Sequence, residues 1–109
     1  KVYYIGLPEH PSYDITLQQS SGFGAMISFA VNKPAVEIRL LEKIKVVQYA
    51  ESLGGVESLL TYPMLQTQAD VPPEIRQAKG IDEHLLRLSV GIEDVEDLIA
   101  DLEQAFEED

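Results

Sequence analysis

The sequence contains no cysteine and no tryptophan. The first absence excludes disulfide bridges and thiolate metal sites, so packing and hydrogen bonds have to make the fold. No apolar run approaches the ~20 residues that cross a bilayer, and no charged-then-apolar leader opens the chain. Membrane partners are therefore not expected, and without an export signal the cytoplasm is the expected location. Positive charge is scarce: eight Lys and Arg stand against 19 Asp and Glu, a formal net charge of −11. Nucleic acid is not an expected partner either, because phosphates need a basic surface.

What is present supports one domain. The chain has 109 residues, 45% of them hydrophobic, enough to bury roughly 60–65% of the unfolded surface. The acidity is uneven. Nine of the acidic residues lie between Glu93 and Asp109 with no basic residue among them, which leaves ten acidic against eight basic residues, a net of −2, for the body. Charge patterning reads the acidic end as the solvated face of a helix.

Periodicity and turn residues divide the chain into alternating strands and helices. Lys1–Leu7 reads as a strand stopped by Pro8, and Ser12 as the cap of a short helix ending near Ser20. Ala25–Val31 is apolar on both faces, a central strand. Asn32-Lys33-Pro34 starts a helix with Ala35, Ile38, Leu40 and Leu41 on its apolar side. Val46–Ala50 and Val56–Tyr62 read as strands separated by the turn Glu51–Gly55, and residues 64–71 as irregular. Pro72–Lys79 is a compact helix with Gly80 past its end. Leu85–Gly91 is a strand, and a last helix carries Val95, Leu98, Ile99, Leu102, Ala105 and Phe106 on one stripe, with fraying expected at its acidic end. Without repeats or linkers, the expected fold class is α+β: a small two-layer sandwich, a mainly antiparallel sheet with helices packed on one face.

Arg87 is the residue that asks for an explanation. It interrupts the apolar run Leu85-Leu86-Arg87-Leu88, where a fixed charge is costly unless an anion meets it. A guanidinium on a rigid strand suits bidentate grip of a carboxylate, either a ligand's or a neighbouring Asp or Glu. The turn Glu51-Ser52-Leu53-Gly54-Gly55 adds an acid, a hydroxyl and backbone amides beyond a strand end, although ordinary turns look the same. His10 and His84 are far apart and in no metal spacing, so they read as structural or exposed and no metal is expected. Gly22 and Gly24 do not complete a phosphate-binding fingerprint, no serine sits in a nucleophile elbow, and no lysine has the setting of a Schiff-base amine. Local chemistry thus amounts to half a site: a carboxylate grip without a reactive group.

Taken together, Ala50-Glu51-Ser52-Leu53-Gly54-Gly55-Val56-Glu57-Ser58-Leu59, Tyr62-Pro63, Gly80-Ile81, Leu86–Asp94 and Glu96-Asp97-Leu98-Ile99 resemble the C-terminal domain of the Cys/Met-metabolism enzymes that use pyridoxal 5′-phosphate. That family includes cystathionine γ-synthase, cystathionine β- and γ-lyases and O-acylhomoserine sulfhydrylases. Gly22-Phe23-Gly24 with Met26–Phe29 matches its entry into this domain.

The resemblance implies that Arg87 binds the α-carboxylate of an amino-acid substrate. It places Ser52 beside that carboxylate, Glu51 at the substrate entrance and Leu53 with them in contact with substrate. It implies a fold-type I enzyme whose cofactor lysine, ring-nitrogen Asp and phosphate loops belong to a preceding domain. Residues 1–109 are then a single C-terminal domain, inactive alone, of a cofactor-bearing homotetramer. The expected reaction is γ-replacement on an O-acylhomoserine by cysteine, with β- or γ-lyase and sulfhydrylase activities as alternatives. Gln68 departs from the His common after Thr67 in relatives, which bears on subfamily. A reading of another class is a free-standing small-ligand or interaction module whose acidic helix docks a basic partner.

Overall fold

A computed structural model describes residues 1–31, 35–64, 69–82 and 84–107. Five strands, β1 (Val2–Tyr3), β2 (Met26–Ala30), β3 (Gln48–Tyr49), β4 (Leu59–Thr61) and β5 (Leu85–Ser89), form one sheet in the order β1-β2-β5-β4-β3. Every pairing is antiparallel except that of β3 with β4. The helices are α1 (Tyr13–Gln19), α2 (Val36–Lys43), α3 (Pro73–Ala78) and α4 (Val95–Phe106). The class is the expected α+β sandwich.

The alternation of side chains along a strand separates two faces. On one face Leu60, Leu86 and Leu88 join Leu40 of α2 and Leu98 and Ala105 of α4 in the core, with Ile27, Phe29 and Leu102 packed against it. Phe29 meets Phe106 edge-on, ring centroids 6.3 Å apart. The other face carries the cross-strand row Ser28–Arg87–Thr61 and, one register further, Met26–Ser89–Leu59. The helix layer is made by α2 and α4, while α1 and α3 bury no residue.

Strand β5, not the apolar β2, is the middle of the sheet; β2 is interior but only half-buried along its length. The expected strand at Lys1–Leu7 is only β1, because the chain turns at once: Leu7 N donates to Tyr4 O and His10 N to Leu7 O. Ser12 does not cap α1 through its side chain. Its carbonyl accepts Thr16 Oγ1 at 2.7 Å and its amide donates to His10 Nδ1 at 3.0 Å.

Strand β3 is shorter than Val46–Ala50 because the amides of Val46 and Val47 are taken by the Asp101 carboxylate. Strand β4 starts at Leu59 because Val56 O accepts Ile92 N and Ser58 N donates to Glu93.

Two helix faces also differ from expectation. Ala35 and Ile38 are exposed, and α2 turns Val36, Glu37 and Leu40 inward; Pro34 lies outside the described residues. In α4, Val95 (65%) and Ile99 (51%) are exposed, as is Phe106, whereas Asp101 is only 4% exposed between Leu98 and Ala105. The inward face still follows helical spacing, but its centre is a carboxylate. Asp94 caps this helix by accepting from Glu96 N and Asp97 N. Fraying was expected where the helix ends acidic. There Lys43 of α2 donates to Glu107 O at 3.0 Å, placing a cation against the negative end of the helix; residues 108–109 lie outside the described residues.

Candidate functional site

Arg87 sits midway along the central strand, half-buried, with Ser28 opposite on β2 and Thr61 opposite on β4. Its Nη2 donates to Glu51 O at 2.8 Å and to Thr61 Oγ1 at 3.2 Å. Its Nε is buried and has no hydrogen-bond partner among the described residues. No described carboxylate pairs with the guanidinium: Glu51 offers its backbone carbonyl, not its side chain. The choice between an internal ion pair and an external anion is thereby narrowed. A buried charged donor without an acceptor is costly in a finished structure, and here it belongs to the residue suited to grip a carboxylate.

The turn that follows β3 is fastened to the sheet at several points. Ala50 N donates to Leu60 O at 3.0 Å, and Thr61 Oγ1 donates to Ala50 O at 2.5 Å. Gly54 N donates to Ser89 Oγ at 2.9 Å. Gly54 has φ +74°, in the left-handed region that a side chain disfavours, so the sharp turn needs glycine there. At the far end Ile92 N donates to Val56 O at 2.9 Å. Ser58 donates from both N and Oγ to the Glu93 carboxylate, each at 2.7 Å, while its Oγ accepts from Gly91 N at 2.8 Å.

Gly91 is tight: a β-carbon there would lie 2.6 Å from the Glu57 carbonyl carbon and closer still to Val56 O. Between these fastenings Glu51, Ser52 and Leu53 are all exposed. The structure therefore brings Arg87 and Glu51 together through the Glu51 carbonyl. It presents Ser52 and Leu53 on the same anchored turn, on its open side.

Two ionisations mark this region. The Ser58 amide, and then the Ser58 hydroxyl, hold the Glu93 carboxyl below the usual carboxylate range. Partial burial, together with the neighbouring Glu51 charge, raises the Tyr49 phenol. His84 lies elsewhere, its Nδ1 3.8 Å from Glu37 Oε2. No group of three or more His, Cys, Asp or Glu among the described residues could hold a metal, and no helix among them is long and apolar enough to cross a membrane. An apolar cleft of about 510 Å³, lined by Val2, Ile27, Phe29, Val36 and Phe106, opens on the helix side of the sheet, away from Arg87.

Sequence reasoning missed Thr61, Ser89, Ser58 and Glu93 as parts of this site. A signal existed for Ser89: the two-residue period of a strand puts it on the same face as Arg87. The partnership of Ser58 with Glu93 spans 35 residues, and no local pattern announces it.

The fold agrees with comparison to known proteins. The family profile for Cys/Met metabolism PLP-dependent enzymes matches residues 1–107, and the chain belongs to that family. It is 49% identical to cystathionine gamma-lyase of Dictyostelium discoideum over 108 residues, 98% of this chain and 28% of the relative. It is also 49% identical to cystathionine gamma-synthase of Escherichia coli strain K12 over 107 residues, 97% of this chain and 28% of the relative. The crystal structure of cystathionine gamma synthase from Xanthomonas oryzae pv. oryzae in complex with aminoacrylate and cysteine superposes with a TM-score of 0.91 at 43% identity, covering 97% of this chain and 28% of that one. The chain thus spans little more than a quarter of the length of these relatives.

The family depends on pyridoxal phosphate. At Arg87 the group with unspent donors is the guanidinium itself, since the Thr61 hydroxyl donates to Ala50 O and Gly54 N to Ser89 Oγ. These groups include neither an amine to form a Schiff base nor an acid to face a ring nitrogen. Of the lysines, Lys1 Nζ lies 5.0 Å above the Tyr3 ring and Lys43 Nζ is bonded to Glu107 O. The residues described here do not by themselves fit the cofactor.

Proposed function

We propose that this chain is the C-terminal, substrate-carboxylate-binding domain of a longer pyridoxal-phosphate enzyme of trans-sulfuration, with residues 1–109 forming one domain. One observation carries the reading: among the described residues the buried Nε of Arg87 has no partner, while Nη2 of the same group is occupied by Glu51 O and Thr61 Oγ1. The guanidinium is held in place yet keeps a donor in reserve. An amino acid's α-carboxylate is the planar anion that such a donor receives.

Gripping the carboxylate fixes the rotation of the substrate about its Cα, so that the bond to be broken is presented in one orientation. Ser52 adds a hydroxyl beside the carboxylate, and Leu53 an apolar side chain that sheds water from the bound substrate. Glu51 places a negative charge at the mouth, where the ammonium of an incoming cysteine or the distal ammonium of cystathionine would arrive. Pyridoxal phosphate supplies the electron sink in this family, from residues outside this chain. The whole enzyme is a cytoplasmic homotetramer, and the isolated chain is inactive.

Within the family the proposed reaction is γ-replacement, joining cysteine to an O-acylhomoserine. The full-length enzyme is offered O-acylhomoserine with cysteine, O-acylhomoserine with sulfide, and cystathionine, in parallel. Cystathionine formation as the fastest reaction supports the synthase reading; dominant cystathionine cleavage replaces it with a lyase. In that enzyme Arg87→Ala is expected to lower kcat/KM by roughly 30- to 5,000-fold, the ~2–5 kcal/mol of a truncated buried charge pair, with the cofactor's absorbance unchanged. The 109-residue chain mixed with cofactor and O-acylhomoserine is expected to show no turnover.

A further inference from the structure

We infer that Thr61 is the positioning residue of the carboxylate grip, setting the direction in which Arg87 offers its free donor. The inference rests on the reading of Arg87 given above and names a residue that nothing in the family motifs singles out.

Thr61 is completely buried, on β4 directly across from Arg87. Its hydroxyl has one hydrogen, and that hydrogen is committed: Oγ1 donates to Ala50 O at 2.5 Å. The oxygen can then face Arg87 only as an acceptor, and it takes Nη2 at 3.2 Å. The other acceptor of Nη2 is Glu51 O at 2.8 Å, on the residue after Ala50. A single hydroxyl therefore joins the guanidinium to the start of the turn that carries Glu51, Ser52 and Leu53.

Nη2 has two hydrogens and two protein acceptors, so that corner of the guanidinium is spent. With that corner pinned, the planar group is held in one orientation, and its other donors, Nε and Nη1, have no hydrogen-bond partner among the described residues. Ser89 does the matching work further along the turn, accepting Gly54 N at 2.9 Å from the same sheet face. Without the Thr61 oxygen, Nη2 keeps one acceptor and the guanidinium regains a rotation. The ligand's carboxylate would then have to restrict that rotation on binding.

The test is a set of substitutions in the full-length enzyme. Thr61→Val keeps the branched shape and removes the hydroxyl. It is expected to raise KM for the amino-acid substrate roughly tenfold, the size of one hydrogen bond to a charged group, with kcat within about threefold and cofactor absorbance unchanged. Thr61→Ser is expected to return KM to within about twofold of the parent. In an Arg87→Ala background, Thr61→Val is expected to change KM less than twofold, because the group it orients is gone.

An unchanged KM in Thr61→Val overturns the inference. So does the same loss with and without Arg87, or a loss that Thr61→Ser fails to rescue, since each assigns Thr61 a structural role. If Arg87→Ala itself leaves substrate use intact, the reading of Arg87 fails first. If Arg87→Ala is crippled and Thr61→Val is silent, only the positioning role fails.

Discussion

Arg87 and Asp101 are both charged groups held against the sheet and its helices, and they differ in how far the protein satisfies them. The Asp101 carboxylate is fully engaged. It accepts Lys45 N at 2.8 Å, Val46 N and Val47 N at 2.9 Å, and Gln104 Nε2 at 3.2 Å. Burial alone would raise its pKa, but those donors outweigh it and hold the group below the usual carboxylate range. Nothing is left over for a ligand. Arg87 spends Nη2 on Glu51 O and Thr61 Oγ1, and its buried Nε has no partner among the described residues. A buried charge with all its valences satisfied stitches elements together, here α4 to the segment between α2 and β3. Arg87 is the half-buried charge whose remaining donors we propose to be kept for a ligand.

The contrast can be broken by substitution, starting with the largest expected loss of stability. Asp101→Ala strands three backbone donors at once, one of them on the buried Val47. It is expected to destabilise the chain by ~2–4 kcal/mol, read as a lower urea midpoint at unchanged m-value. A loss below about 1 kcal/mol would mean that water replaces the carboxylate and that the stitch is weak.

Gly91→Ala comes next. Its methyl would meet the backbone of Val56 and Glu57, neither of which yields as a flexible side chain would. The expected cost is ~1–3 kcal/mol, and a stability equal to the parent's would show that this junction is looser than drawn.

Acid sharpens the same comparison. Because the Asp101 carboxyl is held below its ordinary value in the folded chain, its contribution is present above the unfolded pKa of about 4 and is lost as pH falls through the lowered folded value. Asp101→Asn is expected to remove that part of the acid limb below about pH 4 and leave the rest of the profile in place. Urea midpoints across that range decide it, and parallel profiles for the two proteins would contradict the assignment.

The smallest effect belongs to the exposed side of α4. Val95→Lys is expected to change stability by less than ~0.5 kcal/mol in the 109-residue chain, because Val95 is 65% exposed. A larger loss would restore Val95 to the buried stripe.

The sequence made the α+β sandwich legible, because strand runs, Pro and Gly punctuation and one long amphipathic helix all point the same way. Gly80, with φ +76° just past α3, and Asp94, capping α4, behave as local chemistry requires. The misses share one cause. The ends of β3 and β4 and the inward face of α4 are set by Asp101 and Glu93, acids that bond to backbone 35 to 56 residues away. Local periodicity treats an acid on a helix as solvated. It cannot see that the amides of residues 45–47 need an acceptor that the sheet does not provide. Arg87 stood out in the sequence because a lone charge in a strand is conspicuous, whereas Thr61 and Ser89 look like ordinary strand residues until the register puts them beside it.

We propose that Arg87 keeps a donor for an amino acid's carboxylate. This is tested most directly by comparing, in the full-length enzyme, kcat/KM for an amino-acid substrate with kcat/KM for the same compound carrying a carboxamide. The parent is expected to prefer the acid by at least about 30-fold, and Arg87→Ala to bring the two to within a few-fold of each other. The same preference in parent and variant would contradict the claim and return Arg87 to the role of an internal strut.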